Sequence, residues 1–350
     1  MSYTIFNKSI NKNNEIIMIT NSKQEIIDFI NNLPDDAHTL NLYNNFEHSV
    51  DNLPKNLHTL NFYNKFNQPI DNLPNNLHTL YMSECFNHPI DNLPNNLQII
   101  ILGCEFNQPI DNLPESLHTL ELGNIFNQPI NNLPDNLHTL KLSHQFNQPI
   151  NNLPPKLHTL MVGWKFNKPI DNLPSNLHKL RLGIDFNQHI DNLPNNLHTL
   201  ELGDRFDKPI NNLPNNLHKL KLGWIFNQPI NNLPNNLYKL ELGDNFNQPI
   251  NILPNNLHTL LLSSKCIKLY NDLPTSINVQ VYDIDNEYDE YDDDDDDEDN
   301  QDNEDNQEYN QEYNQDNEDN QDNEDNQDNE DNQEYNEYNQ EYNEYNQEYD

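Results

Sequence analysis

Residues 117–136 read LHTLELGNIFNQPINNLPDN, and close copies of this 20-residue unit follow one another through most of the chain. Phe returns at this interval from Phe46 to Phe246, and Leu-Pro pairs return with the same period from Leu33 to Leu273. We number positions one to twenty of every unit from Leu117. A period this short has no room for a strand, a long helix and two loops, so it predicts one coil of a solenoid per unit.

The apolar positions of the unit predict where the core lies. Leu117, Leu120 and Leu122, at positions one, four and six, end in an alternating stretch that is typical of a strand, and positions ten, fourteen and seventeen add Phe126, Ile130 and a further Leu. No coil can bury these side chains alone, whereas coils stacked in register share one core with parallel strands about 4.8 Å apart. The sequence therefore predicts a β-rich solenoid of about twelve coils with a parallel sheet on one face.

Glycine, proline and asparagine occupy fixed positions between the strands. All seven glycines fall at position seven, directly after the strand, where we expect them to allow a positive φ or a tight bend. Prolines at positions thirteen and eighteen, such as Pro129 and Pro134, predict extended, non-helical backbone on the side opposite the sheet. Asparagines at positions eleven and sixteen, such as Asn127 and Asn132, are expected to bond backbone groups in turns and to form side-chain ladders between coils.

The Phe-Asn-Gln-Pro-Ile segments at 126–130, 146–150 and 226–230, each followed by Asn-Leu-Pro, resemble FNIP repeats, which are relatives of leucine-rich repeats. The resemblance covers about residues 30–275 and implies a leucine-rich-repeat-like solenoid. Some members of that family carry an F-box or kinase domain, but no such domain fits in residues 1–32, so adaptor or signalling roles are not carried over.

The unit departs from leucine-rich repeats at position nine. That position is usually Asn or Cys in those proteins, but it varies here, for example Ile125, Gln145 and Lys165. Another side chain, such as the Asn at position eleven, is expected to take over the backbone hydrogen bonding of that residue.

The two ends of the solenoid are predicted to be caps, because terminal coils otherwise expose the core. Residues 1–32 form the predicted N-terminal cap, with a strand near 16–19 and then either a short helix opened by Ser22 and Glu25 or a degenerate coil. Residues 33–276 form the predicted repeat solenoid. Residues 277–282 alternate as a final cap strand, and residues 283–350 form a predicted disordered acidic tail.

The net charge of −39 belongs mainly to the tail. Residues 281–350 hold 33 of the 57 acidic residues and no Lys or Arg, which leaves 24 acidic and 18 basic residues in residues 1–280. Two interpretations of the tail stay open, a solubilising product of simple-sequence expansion and an electrostatic attractant for basic proteins. Either way the tail is expected to repel nucleic acid.

Several classes of function lack their sequence signals. No apolar run is long enough to span a membrane, and the polar N-terminus has no secretory signal pattern, which together predict an intracellular protein without membrane contact. The irregularly spaced Cys85, Cys104 and Cys266 are expected to be free thiols. No Gly-rich phosphate loop, Ser-His-Asp arrangement or HExxH motif occurs, so we expect no catalytic residues, metal or cofactor.

Differences between the units indicate a candidate partner surface. They concentrate at position five, which strand alternation places on the outer face of the sheet, and at positions eight and nine along its rim. Exposed aromatic residues, Met and Arg are typical of interface hot spots, so this face is the predicted site for a protein partner. The candidate partner-binding residues are Tyr81, Ile101, Glu121, Lys141, Met161, Trp164, Arg181, Glu201, Lys221, Trp224 and Glu241.

The alternative for the same face is that neighbouring opposite charges simply pair with each other. Two functions therefore stay open, a non-enzymatic protein-interaction scaffold and a structural or dispensable product of repeat expansion without a dedicated ligand.

Histidine occupies position two in ten coils, but Gln98 and Tyr238 replace it without disturbing the repeat, which argues against a metal site. Stacked imidazoles that repel each other when charged are expected to have lowered pKa values. The Thr stripe at position three is interrupted by Lys179, Lys219 and Lys239, which argues against an ice-binding surface.

Overall fold

The computed structural model describes residues 9–10, 15–18, 33, 37–42, 50, 53–63, 65–250, 252–267 and 273–282, with backbone alone for 9–10 and 15–18. All of them belong to one compact unit, Met1–Asp285. The predicted helix after Ser22 and the predicted disordered tail lie outside the described residues, so the domain boundaries stay predictions.

Within the described residues, fifteen strands form a single sheet in which the strand order follows the sequence. Strand β1 pairs antiparallel with β2, and each later strand pairs parallel with the one before it. The strands are β1 Ser9–Ile10, β2 Glu15–Met18, β3 Thr39–Leu42, β4 Thr59–Phe62, β5 Thr79–Tyr81, β6 Ile99–Leu102, β7 Thr119–Leu122, β8 Thr139–Lys141, β9 Thr159–Val162, β10 Lys179–Leu182, β11 Thr199–Leu202, β12 Lys219–Leu222, β13 Lys239–Leu242, β14 Thr259–Ser263 and β15 Asn278–Tyr282. The prediction of a β-rich solenoid with a parallel sheet is confirmed.

The constant period sets the register of the sheet. Leu200 pairs with Leu180 on one side and with Leu220 on the other, so each position faces the same position of the neighbouring coils. Side chains at positions four and six point inward and are buried, while those at positions three and five lie on the outer face. In most described coils the β-strand is followed only by turns and extended backbone, as the positions of the prolines predicted.

The phenylalanines of position ten form a continuous column in the core. From Phe66 to Phe246 each ring is fully buried, and ring centroids of neighbouring coils lie between 6.0 Å and 6.2 Å apart. Leucines at positions one, four and six and the isoleucine at position fourteen pack around the column. Each fully buried side chain of this size contributes about 1.5–3 kcal/mol, and no coil has this burial without its neighbours.

Glycine is needed at position seven because backbones approach closely there. A Cβ on Gly203 would lie 2.2 Å from the carbonyl oxygen of Gly183, and all seven glycines face the preceding coil in this way. None of them has a positive φ, so of the two expected roles, a positive φ or a tight bend, only the bend is found. A turn begins at this position, where the N–H of Phe206 donates to the carbonyl oxygen of Gly203 at 3.1 Å.

At Ser83 and Ser143, which take position seven in two coils, the strand ends one residue earlier and the hydroxyl donates to the carbonyl oxygen of Phe66 at 2.7 Å and of Phe126 at 2.6 Å. Ser263, at the same position, lies within β14 instead.

The asparagines of position eleven form the predicted ladder. The N–H of Asn147 donates to Oδ1 of Asn127 at 2.9 Å, and Nε2 of Gln148 donates to the same oxygen at 3.3 Å. Equivalent bonds link the coils from Asn67 to Asn247. The position-eleven residue thus provides hydrogen bonding to the backbone of the next coil. That it stands in for the position-nine Asn of leucine-rich repeats stays a prediction.

Two further sets of asparagines bond differently from the sequence expectation. At position sixteen, Nδ2 of Asn132 donates to Asp111, which lies at position fifteen of the preceding coil, at 3.0 Å, rather than to another asparagine of position sixteen. At position twenty, for which the sequence pattern predicted no bond, Nδ2 of Asn136 donates to the carbonyl oxygen of Glu115 at 2.8 Å. The same bond recurs in five other coils.

The last coil contains an element that the sequence did not predict. The four-residue helix α1, Ser264–Ile267, follows β14, and Nζ of Lys265 contacts Oδ2 of the buried Asp244 at 2.7 Å. The hydroxyl of Tyr282 donates to the carbonyl oxygen of Leu242 at 3.0 Å. Burial, followed by nearby carboxylates, raises the pKa of Tyr282, so that this phenol stays protonated and keeps its bond to the strand.

Candidate partner-binding face

The side chains of position five form one row across the outer face of the sheet, which we call the sheet-face row. Strand pairing puts Arg181 beside Glu201, Glu201 beside Lys221 and Lys221 beside Glu241. The structure thus brings the predicted residues of this position together in chain order. The row contains Asn41, Asn61, Tyr81, Ile101, Glu121, Lys141, Met161, Arg181, Glu201, Lys221, Glu241 and Leu261.

The first part of the row is more buried than strand alternation alone predicts. Asn41 and Asn61 are buried, with Nδ2 of Asn61 donating to Oδ1 of Asn41 at 2.6 Å. Tyr81 and Met161 are each only 9% exposed. Side chains about 4.8 Å apart in neighbouring strands cover each other, which strand alternation does not take into account.

The charged residues of the row pair along it. Nζ of Lys141 lies 3.2 Å from Oε2 of Glu121, and their side chains are only 5% and 12% exposed. The carboxylate and the ammonium group have lost most of their hydrating water there, so each depends on the other as its charge partner. Little of the pair is exposed for contact with a partner protein.

Two further pairs follow in the C-terminal part of the row. Nε of Arg181 lies 3.6 Å from Glu201, and Nζ of Lys221 lies 3.2 Å from Glu241. The expectation that neighbouring charges pair with each other is therefore confirmed for all three couples. Lys221 is nevertheless about half exposed, so this part of the row remains accessible to a partner.

Exposed apolar side chains lie along the rim of the sheet, which we define as positions eight and nine. The ring of Trp164 stacks on His144 with centroids 4.2 Å apart and is 41% exposed. Trp224 is 44% exposed, and its backbone N–H donates to Oδ1 of Asp204 at 3.3 Å. Ile125 and Ile225 are exposed to a similar extent. The rim, rather than the sheet-face row, thus presents the largest apolar side chains of the predicted surface.

The histidines of position two form a column of neighbouring rings at the edge where the strands begin. Some pairs are stacked, such as His178–His198, and others are tilted or edge-on, such as His118–His138. From His118 to His218 neighbouring ring centroids lie 5.1 Å or 5.2 Å apart. Partial burial, and then the charges of His178 and His218, lower the pKa of His198. The expected direction is confirmed for this histidine. Tyr238 continues the column by stacking on His258 and is 48% exposed, an aromatic surface that the sequence analysis did not include.

The described residues show no cluster of three or more side chains that could hold a metal ion. In that same part of the chain no helix is long and apolar enough to cross a membrane. None of Cys85, Cys104 and Cys266, which all lie in the described part of the chain, forms a disulfide bond. Burial and the neighbouring Glu105 and Glu84 raise the pKa of the Cys85 thiol, so its reactive thiolate form is disfavoured.

Comparison with family models identifies the repeat. The FNIP Repeat model matches residues 45–85, 86–125, 166–204, 186–225 and 226–265, which together cover more than half of the chain. The chain belongs to the FNIP repeat family. No curated protein sequence matches this FNIP repeat protein significantly.

The solved structure of CroV588 confirms a leucine-rich-repeat-like fold for this FNIP repeat protein. CroV588, a circular leucine-rich-repeat protein of a giant virus, is 38% identical with a TM-score of 0.63 over 72% of this chain. The matched region spans 40% of CroV588. YopM from Yersinia enterocolitica is 19% identical with a TM-score of 0.47, over 71% of this chain and 65% of YopM.

Proposed function

We propose that this FNIP repeat protein is a non-enzymatic scaffold for protein–protein interaction, and that its partner binds the sheet-face row together with the rim. The observation that carries the proposal is that different positions of the repeat differ in how much they vary between coils. Those that fill the core or bond neighbouring turns are nearly constant, whereas most of the variation from coil to coil lies on the sheet-face row and the rim. Position nineteen, on the turn side, also varies, as in Glu115, Pro155 and Ser175. Variation concentrated on one accessible face is expected where a scaffold recognises a specific ligand.

The exposed fraction of each side chain indicates which residues of the proposed surface can anchor a partner and which only support the shape of the face. Trp164 and Trp224 are large and exposed, and such residues dominate the binding energy of protein interfaces. Tyr81, Met161 and the Glu121–Lys141 pair are largely covered, so they support the shape of the face rather than anchor a partner. Ile101, Arg181, Glu201, Lys221 and Glu241 are accessible enough to contribute polar and apolar contacts around the anchors.

The proposed partner is a protein, and the proposal includes no nucleic acid, membrane or cofactor. An intracellular location and an attraction of basic proteins by the acidic residues 283–350 are parts of the same proposal. Both follow from composition and sequence signals alone.

A second candidate is a structural or dispensable product of repeat expansion with no dedicated ligand. It is favoured by near-identical units, since residues 71–80 and 191–200 are the same letter for letter. Recent duplication produces such identity without selection for a binding surface. The two candidates differ in whether substitution of the rim changes the capture of any partner.

The test replaces rim residues by residues that other coils already carry there. Trp164→Asn and Trp224→Asn follow Asn124 of position eight, and Ile125→Gln and Ile225→Asn follow position nine of other coils. We expect the four-fold variant of the full chain to keep its fold, because each new residue is native to the same position of the repeat.

The control variant changes four exposed asparagines of position nineteen to serine, the residue at Ser175. These are Asn95, Asn195, Asn215 and Asn235. Proteins captured from cell extract by the wild type and by both variants are compared by quantitative mass spectrometry. We expect at least one protein that the wild type and the control retain and that the rim variant loses about tenfold or more. Equal capture by all three proteins, or no capture at all, would favour the structural alternative.

A further inference from the structure

The last strand of the sheet, β15, has an open edge. It pairs with β14 on one side, and among the described residues no further strand follows it. The N–H of Asn278 donates to the carbonyl oxygen of His258, which precedes β14, at 2.8 Å. Backbone groups alternate in direction along a strand, so the N–H and C=O groups of Val279 and Val281 face away from β14. Each of these valines therefore offers one donor and one acceptor to another strand.

The hydrophobic core is also open at this end of the solenoid. Strand register aligns Val279 with Leu260 and Val281 with Leu262, so both valines hold inward positions. Leu260 and Leu262 are fully buried, whereas Val281 is 50% exposed. Val279 packs against the core but is only partly buried. In the described part of the chain the core thus ends in an accessible apolar surface.

The edge of β15 lacks the features that usually keep edge strands from pairing, such as charged side chains, proline or very short length. Residues 278–282, Asn-Val-Gln-Val-Tyr, contain no charge and no proline and form a five-residue strand. At the opposite end of the sheet, β1 has two residues and runs antiparallel to β2. The bond from the Tyr282 hydroxyl to Leu242 holds β15 in place, so pairing requires little further ordering of the strand.

We infer that the open edge of β15 pairs antiparallel with β15 of a second copy of this chain. The strand is self-complementary about Gln280, because Val279 lies opposite Val281 of the second copy when Gln280 lies opposite itself. Opposite residues of antiparallel strands lie on the same face, so the valines meet on the core side. A two-fold axis repeats the contact, and each valine pair exchanges two N–H···O=C bonds. The pairing therefore satisfies the open backbone groups and covers both apolar ends.

A second copy fits this edge better than the acidic tail of the same chain does. Residues 285–350 consist only of Asp, Glu, Asn, Gln and Tyr, so they have no aliphatic side chain to cover the valines. Asp, Asn and Glu are also unfavourable in strands, whereas valine is among the residues that strands prefer. The inference does not depend on the proposed function, because none of the proposed anchor residues lies in β15.

The charge of the tail sets the conditions under which the pair forms. Residues 281–350 hold 33 acidic residues and no Lys or Arg, so two copies joined at β15 repel each other through their tails. The screening length falls from about 10 Å at 0.1 M salt to about 3 Å at 1 M, so salt weakens this repulsion. Burial of the valines does not depend on charge, and the pairing should therefore strengthen as salt rises. An association through charge attraction would weaken instead.

A cysteine placed on the two-fold axis tests the register. Opposite residues of a non-hydrogen-bonded antiparallel pair have Cα atoms about 4.5 Å apart, which a disulfide can span. Under mild oxidation Gln280→Cys should form at least about tenfold more disulfide-linked dimer than Asn278→Cys, on a non-reducing gel. Asn278→Cys is the matched control, because residue 278 is also exposed but lies opposite Tyr282 of the second copy. The wild type gives the background from its native cysteines.

Sedimentation velocity of the full chain measures the pairing without a disulfide. We expect the dimer fraction of the wild type to rise with protein concentration and with salt. Val281→Lys, which places a charge in the paired edge, should reduce the dimer fraction about tenfold or more. Ile252→Lys is its matched control, since it adds the same charge at an aliphatic residue that is 65% exposed and lies outside β15. Circular dichroism checks that both variants are folded.

Hydrogen exchange of the wild type gives a measurement that needs no variant. The amides of Val279 and Val281 should exchange more slowly as protein concentration rises, because only pairing protects them. Slow exchange at every concentration would show that the chain covers its own edge, and would overturn the inference.

Four further results would also overturn the inference. They are a wild type that stays monomeric at high concentration and high salt, association that weakens as salt rises, equal cross-linking of the two cysteine variants, and equal dimerisation of the two lysine variants. A series of larger species in place of a dimer would show head-to-tail pairing and would exclude the two-fold register.

Discussion

The residues in the core and turns of the solenoid are nearly the same in every coil, whereas those on the outer face of the sheet differ from coil to coil. Every described coil from 57 to 256 places phenylalanine in the same buried column, while the sheet-face row changes from asparagine to tyrosine, methionine and paired charges. Core and ladder positions contact identical copies of themselves, so a substitution in one coil disturbs two neighbours as well. Positions on the outer face contact neighbours only along the row and are otherwise limited by solvent, so they can vary. Positions that stay constant are thus those that pack against neighbouring coils. Positions that vary mark the surface on which a function can be built.

The contrast is sharpest within one coil, where Phe166 is fully buried and Trp164, two residues earlier, is 41% exposed. We expect Phe166→Ala to lower the free energy of unfolding by about 3–5 kcal/mol, because it leaves a cavity in the phenylalanine column. Trp164→Asn should cost less than about 1 kcal/mol, since it loses only the exposed stack on His144. Denaturant unfolding followed by circular dichroism measures both. Equal costs would show that the rim is part of the core.

A substitution in the asparagine ladder, on the turn side of the solenoid, should lower the free energy of unfolding by an intermediate amount. Asn127→Ala should cost about 1–2 kcal/mol, because the N–H of Asn147 loses its acceptor at 2.9 Å. Asn127→Asp is the matched control, since Asp207 already fills this position in another coil and accepts the N–H of Asn227 at 3.0 Å. The aspartate variant should unfold close to the wild type under the same denaturant conditions. An alanine variant as stable as the aspartate variant would contradict a structural role for the ladder.

Substitution in the histidine column is expected to have the smallest effect. The column is intermediate between the two regions, because it is nearly constant in sequence but partly exposed. A folded-state pKa below the unfolded value favours the neutral form in the fold, so the stabilisation is present above the unfolded value near 6.5 and is lost as pH falls through the folded pKa. Because the pKa of His198 is lowered, we expect a lower melting temperature at pH 5 than at pH 7.5, and a smaller difference in His198→Gln. Glutamine is native to the column at Gln98.

His189→Gln is the control for this pH dependence, because His189 is exposed at position thirteen and lies outside the column. Its variant should keep the full pH difference of the wild type. A melting temperature at pH 5 equal to or above that at pH 7.5, or an unchanged difference in His198→Gln, would show that the column does not disfavour protonation.

Much of the candidate face could be located from the sequence, but its energetics could not. Alternation correctly placed Arg181 and Glu201 on the outer face, the 20-residue period placed them side by side, and the pairing of neighbouring opposite charges followed from their order. The sequence did not show that Lys141 would be buried while Lys221, at the same position of another coil, stays half exposed. Lys141 lies between Glu121 and Met161, whereas Lys221 lies between Glu201 and Glu241.

The repeat period by itself determined the coil, the register, the buried column and the side of the sheet on which variation lies. The reason is that a covalent interval of 20 residues per coil leaves no choice about which positions meet when coils stack. Only the tertiary structure decided why position seven is glycine, which acceptor each asparagine uses, and how far β15 leaves the end of the core exposed. These depend on contact distances between neighbouring coils, and a list of residues does not contain those distances.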